Sequence, residues 1–104
     1  MKDQCAKNLE GFGPYGLSKA VLHKLTELQA KENSNLTISV CSPGYVQTNM
    51  TKGGGNLTPD QGAQSTLHCL FSKLDGNGWY YGSDSLRSPL HTTRDPGTPA
   101  FTGY

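Results

Sequence analysis

The 104-residue chain carries 9 Lys and Arg against 8 Asp and Glu, a net charge of +1 that gives no reason to expect nucleic acid or an anionic membrane as partner. Hydrophobic residues make up 34% and charged residues 16%, with 13 glycines, the composition of one loop-rich globular domain over 1–104 rather than of a disordered segment. No apolar run reaches the roughly 18–20 residues of a membrane span, the opening Met1–Cys5 has no signal-peptide core, and Cys5, Cys41 and Cys69 form no Cys-x-x-Cys pair, so a cytoplasmic, reducing setting is expected.

In chain order, residues 1–14 read as an opening segment that ends in a loop, Gly11-Phe12-Gly13-Pro14. Pro14 suits the first turn of a following helix. From Tyr15 to about Glu32 the apolar residues Leu17, Val21, Leu25 and Leu28 recur with helical spacing, while Lys24, Glu27, Lys31 and Glu32 fall off the stripe as a solvated face. Asn33-Ser34-Asn35 ends that helix. Leu36 to about Ser42 alternates apolar and small polar residues and is stopped by Pro43-Gly44, the pattern of a strand; Cys41 within it reads as a small buried hydrophobe.

Tyr45 to Leu57 is a loop with Gly53-Gly54-Gly55, lacking both a Gly-Lys-Ser/Thr ending and dinucleotide glycine spacing. A second helix opens with Thr58 as N-cap and Pro59 at its first position and runs to about Ser72 through Ala63, Leu67, Leu70 and Phe71. Asp75-Gly76-Asn77-Gly78 is a turn, and the aromatic run Trp79-Tyr80-Tyr81 marks a second strand at about Gly78–Gly82. Beyond Gly82 the chain reads as irregular, a proline-rich tail of the kind that covers a sheet edge. His23, His68 and His91 have no metal-ligand spacing, so no metal site is expected. His68 reads as a partly exposed residue of the second helix.

Two elements carry chemistry. Tyr15 and Lys19 are four residues apart, so both project from one helix face. An ammonium held beside a phenol favours phenolate and lowers its ionisation from about 10, which makes a proton donor for a carbonyl oxygen that gains charge as hydride reaches carbon. Ser42-Pro43-Gly44-Tyr45-Val46-Gln47-Thr48 is a strand end followed by a turn where a bare glycine lets backbone approach a ligand.

The pairing of Tyr15-x-x-x-Lys19 with Pro43-Gly44-x-Val46-x-Thr48 resembles the C-terminal half of the short-chain dehydrogenase/reductase family. The resemblance implies an α/β chain that forms the C-terminal part of a Rossmann-type, doubly wound parallel sheet. It implies Tyr15 as catalytic acid/base and Lys19 as its partner, both also touching NAD or NADP. Pro43, Gly44 and Val46 would line the nicotinamide, and Thr48 would face the pyrophosphate. The loop Tyr45–Leu57 would face a small carbonyl or alcohol substrate. The family's N-terminal strand, glycine-rich turn and helix, and its serine upstream of the tyrosine, have no counterpart ahead of Tyr15. The expectation is therefore a truncated NAD(P)-dependent oxidoreductase of carbonyl reductase or alcohol dehydrogenase type, inactive alone. The alternative is a non-catalytic interaction module of the same descent that dimerises through the helix at 15–32.

Overall fold

The computed structural model describes residues 13–90 and 94–103. The opening segment up to Phe12, with Cys5, and His91 lie outside them. Helix α1 spans Gly13–Glu32, strand β1 Val40–Cys41, helix α2 Pro59–Gly62, helix α3 Gln64–Phe71, strand β2 Tyr80–Tyr81 and strand β3 Arg87–Ser88. The sheet order is β1-β2-β3.

The sheet is mixed. β1 and β2 are parallel, with Val40 opposite Tyr80, whereas β2 and β3 are antiparallel, with Tyr80 opposite Ser88. This corrects the all-parallel expectation and the reading of everything beyond Gly82 as irregular. A parallel return needs a crossover of a dozen or more residues. The tight turn after β2, where Ser85 N–H donates to Gly82 O at 3.0 Å, permits only a hairpin. The small α/β arrangement is compatible with part of a Rossmann-like fold.

Adjacent side chains of β2 point to opposite faces, as strand geometry requires. The Tyr80 ring meets His23 of α1 at a centroid distance of 4.9 Å, and the Tyr81 ring meets His68 of α3 at 5.6 Å. One helix thus covers each face. His68 is partly exposed, as expected, and Cys41 is only half-buried.

Pairing along β1 is shorter than the predicted Leu36–Ser42, and Asn77 explains why. Its Oδ1 accepts the Ile38 N–H at 2.7 Å while its Nδ2 donates to Leu36 O at 2.8 Å and to Ala30 O at 3.3 Å. There the Asn77 side chain takes the Ile38 N–H while Ile38 O still accepts the Gly78 N–H at 2.8 Å, so the regular ladder starts only at Val40, whose N–H donates to Trp79 O at 2.9 Å. The second predicted helix is broken at Ala63, between α2 and α3. Its start is as expected. Thr58 caps α2 in a capping box, with Gln61 N–H donating to Thr58 Oγ1 at 3.2 Å and Thr58 N–H to Gln61 Oε1 at 2.8 Å.

Helix α1 packs by the face opposite to the one its periodicity suggests. Thr26 and Ala30 are its buried residues, and Ala30 Cβ lies 3.1 Å from where a side chain on Gly78 would begin. Leu17, Val21, Leu25 and Leu28 are exposed, 38–61%. At about 100° per residue that stripe lies opposite Thr26 and Ala30. A hydrophobic stripe marks the face that seeks cover, and in this chain small residues, which permit close approach, mark the face that meets the sheet. Glu27 is half-buried between Lys24 at 2.9 Å and Lys31 at 3.5 Å.

The tail is clasped to the sheet. Phe101 N–H donates to Arg87 O at 2.8 Å, and the Arg87 guanidinium lies 3.7 Å from the centroid of the Trp79 ring. Arg94 bonds Asp84 Oδ2 at 2.6 Å and Oδ1 at 3.1 Å. No helix among the described residues is long and apolar enough to cross a membrane.

Candidate functional site

Strand β1 ends in a turn set by two local devices. Ser65 on α3 is fully buried and its hydroxyl donates to Ser42 O at 2.7 Å, which ties the strand end to the helix. Gly44 then adopts φ +84°, where a Cβ would stand 2.7 Å from Leu57 Cδ1 and 2.9 Å from Ser83 Cβ. Only glycine fits that backbone and that space. Gly62 makes room in the same way for Val46, whose Cγ2 would be 2.5 Å from an added Cβ.

These elements border an open cavity of about 800 Å³. Its lining brings together five residues singled out in sequence: Tyr15 from α1, and Pro43, Gly44, Val46 and Thr48 from the turn after β1. Lys19 is not on the lining; its Nζ stands 5.5 Å from the centroid of the Tyr15 ring, over the face of the ring. Tyr15 is 64% exposed. Tyr45, Met50, Thr51 and Lys52 add a wall from the following loop, and Pro59, Gly62 and Ala63 a floor from the start of the second helical segment. The loop expected to face a substrate does line the cavity; the floor was not legible in sequence, because Gly62 looks there like an ordinary weak helix residue. Ser65 and Ser83 were also missed, since single serines carry no periodic signal.

Among the described residues the charged side chain on the lining is Lys52, with no carboxylate on the same lining. One turn beyond Lys19, His23 titrates below its ordinary value through burial first and the Lys19 charge second. Burial, and next to it the neighbouring Cys41, pushes the Cys69 thiol up to about 11, so Cys69 stays protonated at neutral pH. Among the described residues no group of His, Cys, Asp or Glu could hold a metal ion. The cavity presents bare backbone at Gly44, an apolar flank at Pro43 and Val46, and a hydroxyl at Thr48. A Gly-x-Gly-x-x-Gly spacing also occurs at Gly11, Gly13 and Gly16. Recognition by that motif needs a strand ahead of it, and Gly11 lies outside the described residues, so it carries no assignment.

No family model matches the chain. Over 73 residues it is 34% identical to salutaridine reductase of Papaver bracteatum, covering 69% of this chain and 24% of that protein. Salutaridine reductase of Papaver somniferum is 32% identical over 73 residues with the same coverage. (+)-Neomenthol dehydrogenase of Capsicum annuum is 32% identical over 82 residues, 73% of this chain and 26% of that protein. The chain therefore spans about a quarter of the length of the curated relatives it matches. Reductases and a dehydrogenase support the short-chain dehydrogenase/reductase likeness carried by the motifs.

Proposed function

We propose that the chain is the C-terminal part of an NAD(P)-dependent oxidoreductase that interconverts a small carbonyl compound and its alcohol. The observation that carries this reading is the Tyr15 phenol on the same cavity wall as Pro43, Gly44, Val46 and Thr48. The nicotinamide cofactor, when bound, supplies the hydride. Tyr15 Oη gives a proton to the carbonyl oxygen, and takes it back in the alcohol direction. Lys19, beside the phenol, would steady it and hold the cofactor ribose. Pro43, Gly44 and Val46 would flank the ring, and Thr48 would offer its hydroxyl towards the pyrophosphate. The chain by itself is inactive in this reading, because the pyrophosphate and adenosine need the strand, glycine-rich turn and helix of a complete dinucleotide fold.

The test joins residues 1–104 to the part of salutaridine reductase that precedes the matched segment and follows cofactor oxidation with carbonyl substrates. Tyr15→Phe should lower the rate by about 10²–10⁴-fold, the usual worth of a general acid, with cofactor affinity nearly unchanged. Lys19→Ala should weaken both. Most activity surviving in Tyr15→Phe would refute the catalytic assignment.

A second reading, an association module, is favoured by the exposed stripe Leu17, Val21, Leu25 and Leu28 on α1. It commits to a second copy of this chain packed along that stripe. Light scattering should then show a dimer that Leu25→Glu converts to monomer; a wild-type monomer at high concentration removes this reading.

A further inference from the structure

The loop between Tyr45 and Leu57 is closed at its ends by backbone. Asn56 N–H and Leu57 N–H both donate to Tyr45 O, at 3.0 and 3.1 Å, and Gln47 N–H donates to Leu57 O at 2.9 Å. Its tip is turned by local backbone bonds, Lys52 N–H to Asn49 O at 3.1 Å, Gly53 N–H to Thr48 O at 3.0 Å and Gly54 N–H to Thr51 O at 2.9 Å. Two side chains reach across it, Gln47 Nε2 to Gly55 O at 3.2 Å and, with more and shorter bonds, the Thr51 hydroxyl. Thr51 Oγ1 lies 2.8 Å from Val46 O, 2.7 Å from Gly54 O and 3.0 Å from Thr48 O, and it accepts the Thr48 N–H at 3.0 Å. A hydroxyl has a single proton, so the three carbonyls share it. The two nearest, Val46 O and Gly54 O, sit on opposite limbs of the loop, so the half-buried hydroxyl between them bridges the limbs by shorter contacts than the Gln47–Gly55 bond beside it.

The backbone around Thr51 needs such a tie. Lys52 has φ +54°, Gly53 +78° and Gly55 +115°. A non-glycine residue in that region costs free energy and persists only when its surroundings hold it. What the loop carries is the cavity wall. Val46, Thr48, Met50, Lys52 and Thr51 itself line the cavity, and the Tyr45 hydroxyl lies 2.9 Å from where a Cβ on Gly54 would stand, so the Tyr45 ring is seated on the Gly54 backbone. Moving Gly54 away from Val46 moves Tyr45 with it.

We propose that Thr51 is the positioning residue of this wall, and that by holding the two limbs together it sets the width of the cavity open to a bulky carbonyl substrate. The substrate part rests on the oxidoreductase reading above; the loop part does not. Amide hydrogen exchange, followed by NMR on the full chain at low temperature, tests the loop. The Thr48 and Gly54 amides should be protected in the wild type. In Thr51→Val they should exchange about tenfold faster, the worth of about one net hydrogen bond. In Thr51→Ser, which restores the hydroxyl, they should return close to the wild-type rates.

Kinetics on the joined protein test the substrate part. Thr51→Val should raise KM for a bulky cyclic ketone about fivefold with kcat nearly unchanged, the mark of lost uniform binding, leave KM for a small ketone alone, and be rescued by Thr51→Ser. Unprotected amides in the wild type, unchanged exchange in Thr51→Val, or a serine variant as impaired as the valine variant would overturn the role. Altered exchange with equal KM changes for small and bulky ketones would overturn the width claim. A joined protein without activity but with the expected exchange pattern would sink the oxidoreductase reading, and with it the width claim, while leaving Thr51 as the tie of the loop.

Discussion

Gly44 shows how a single residue decides what the cavity can be. Its φ of +84° excludes a side chain on conformational grounds, and the contacts with Leu57 and Ser83 exclude it on steric grounds. Gly44→Ala should therefore lower stability by about 2 kcal/mol, read as a downward shift of the thermal midpoint, and should narrow the cavity from the strand side. An alanine variant as stable as wild type would show that the turn relaxes without cost. The turn itself was legible beforehand, since Pro-Gly after a β-branched run ends a strand. That Leu57 and Ser83 close over the glycine was not, because they come from segments distant in sequence.

Among the elements, the junction of α1, β1 and the turn before β2 depends on Asn77. Its side chain bonds Ala30, Leu36 and Ile38 at once. Asn77→Ala should cost about 2 kcal/mol, from one backbone N–H and two carbonyls left short of partners, and should speed amide exchange at Ile38 more than at Val40. Equal exchange at the two sites would show that β1 is held without Asn77. In sequence, Asn77 looked like one of four turn residues. Its bonds reach back some forty residues, and no local pattern encodes them. Helix α1 teaches the converse. Its length and start were legible from spacing and from Pro14, but the side that meets the sheet was not. Ala30 and Thr26 pack because they are small and lie opposite Gly78, a choice made by the neighbouring element.

For the molecule as a whole, the clasp of Arg94 on Asp84 joins the tail to the hairpin of β2 and β3. The Arg94 hydrogen bond, helped by the Gly97 and Leu86 amides and opposed by burial, holds the Asp84 carboxyl well below its ordinary 3.8. In the unfolded chain Asp84 takes up its proton near 3.8, while in the folded chain it stays ionised at lower pH. The stability it contributes is therefore present above that value and is lost as pH falls below it. The thermal midpoint should start to fall as pH drops through about 4 and go on falling well below pH 3, and Asp84→Asn should flatten that drop while lowering the midpoint at pH 7. A pH profile unchanged by Asp84→Asn would assign the acid sensitivity elsewhere. The buried hydrophobic residues among those described are Ala30 and Tyr81, a small core that leaves hydrogen-bonded ties such as this one a large share of the stability.

The sequence by itself determined the local pieces: the α1 span, the N-cap at Thr58, the aromatic strand and the Tyr15 and Pro43-Gly44 motifs. Each of these rests on residues within one or two turns of one another, where backbone sterics and hydrogen bonding decide. Tertiary structure alone decided the antiparallel β3, the outward turn of the apolar stripe and the meeting of Tyr15 with the turn after β1 on one cavity. Those depend on which surfaces meet, and a surface is chosen by fit between elements far apart in the chain, such as Ala30 against Gly78 and Ser65 against Ser42.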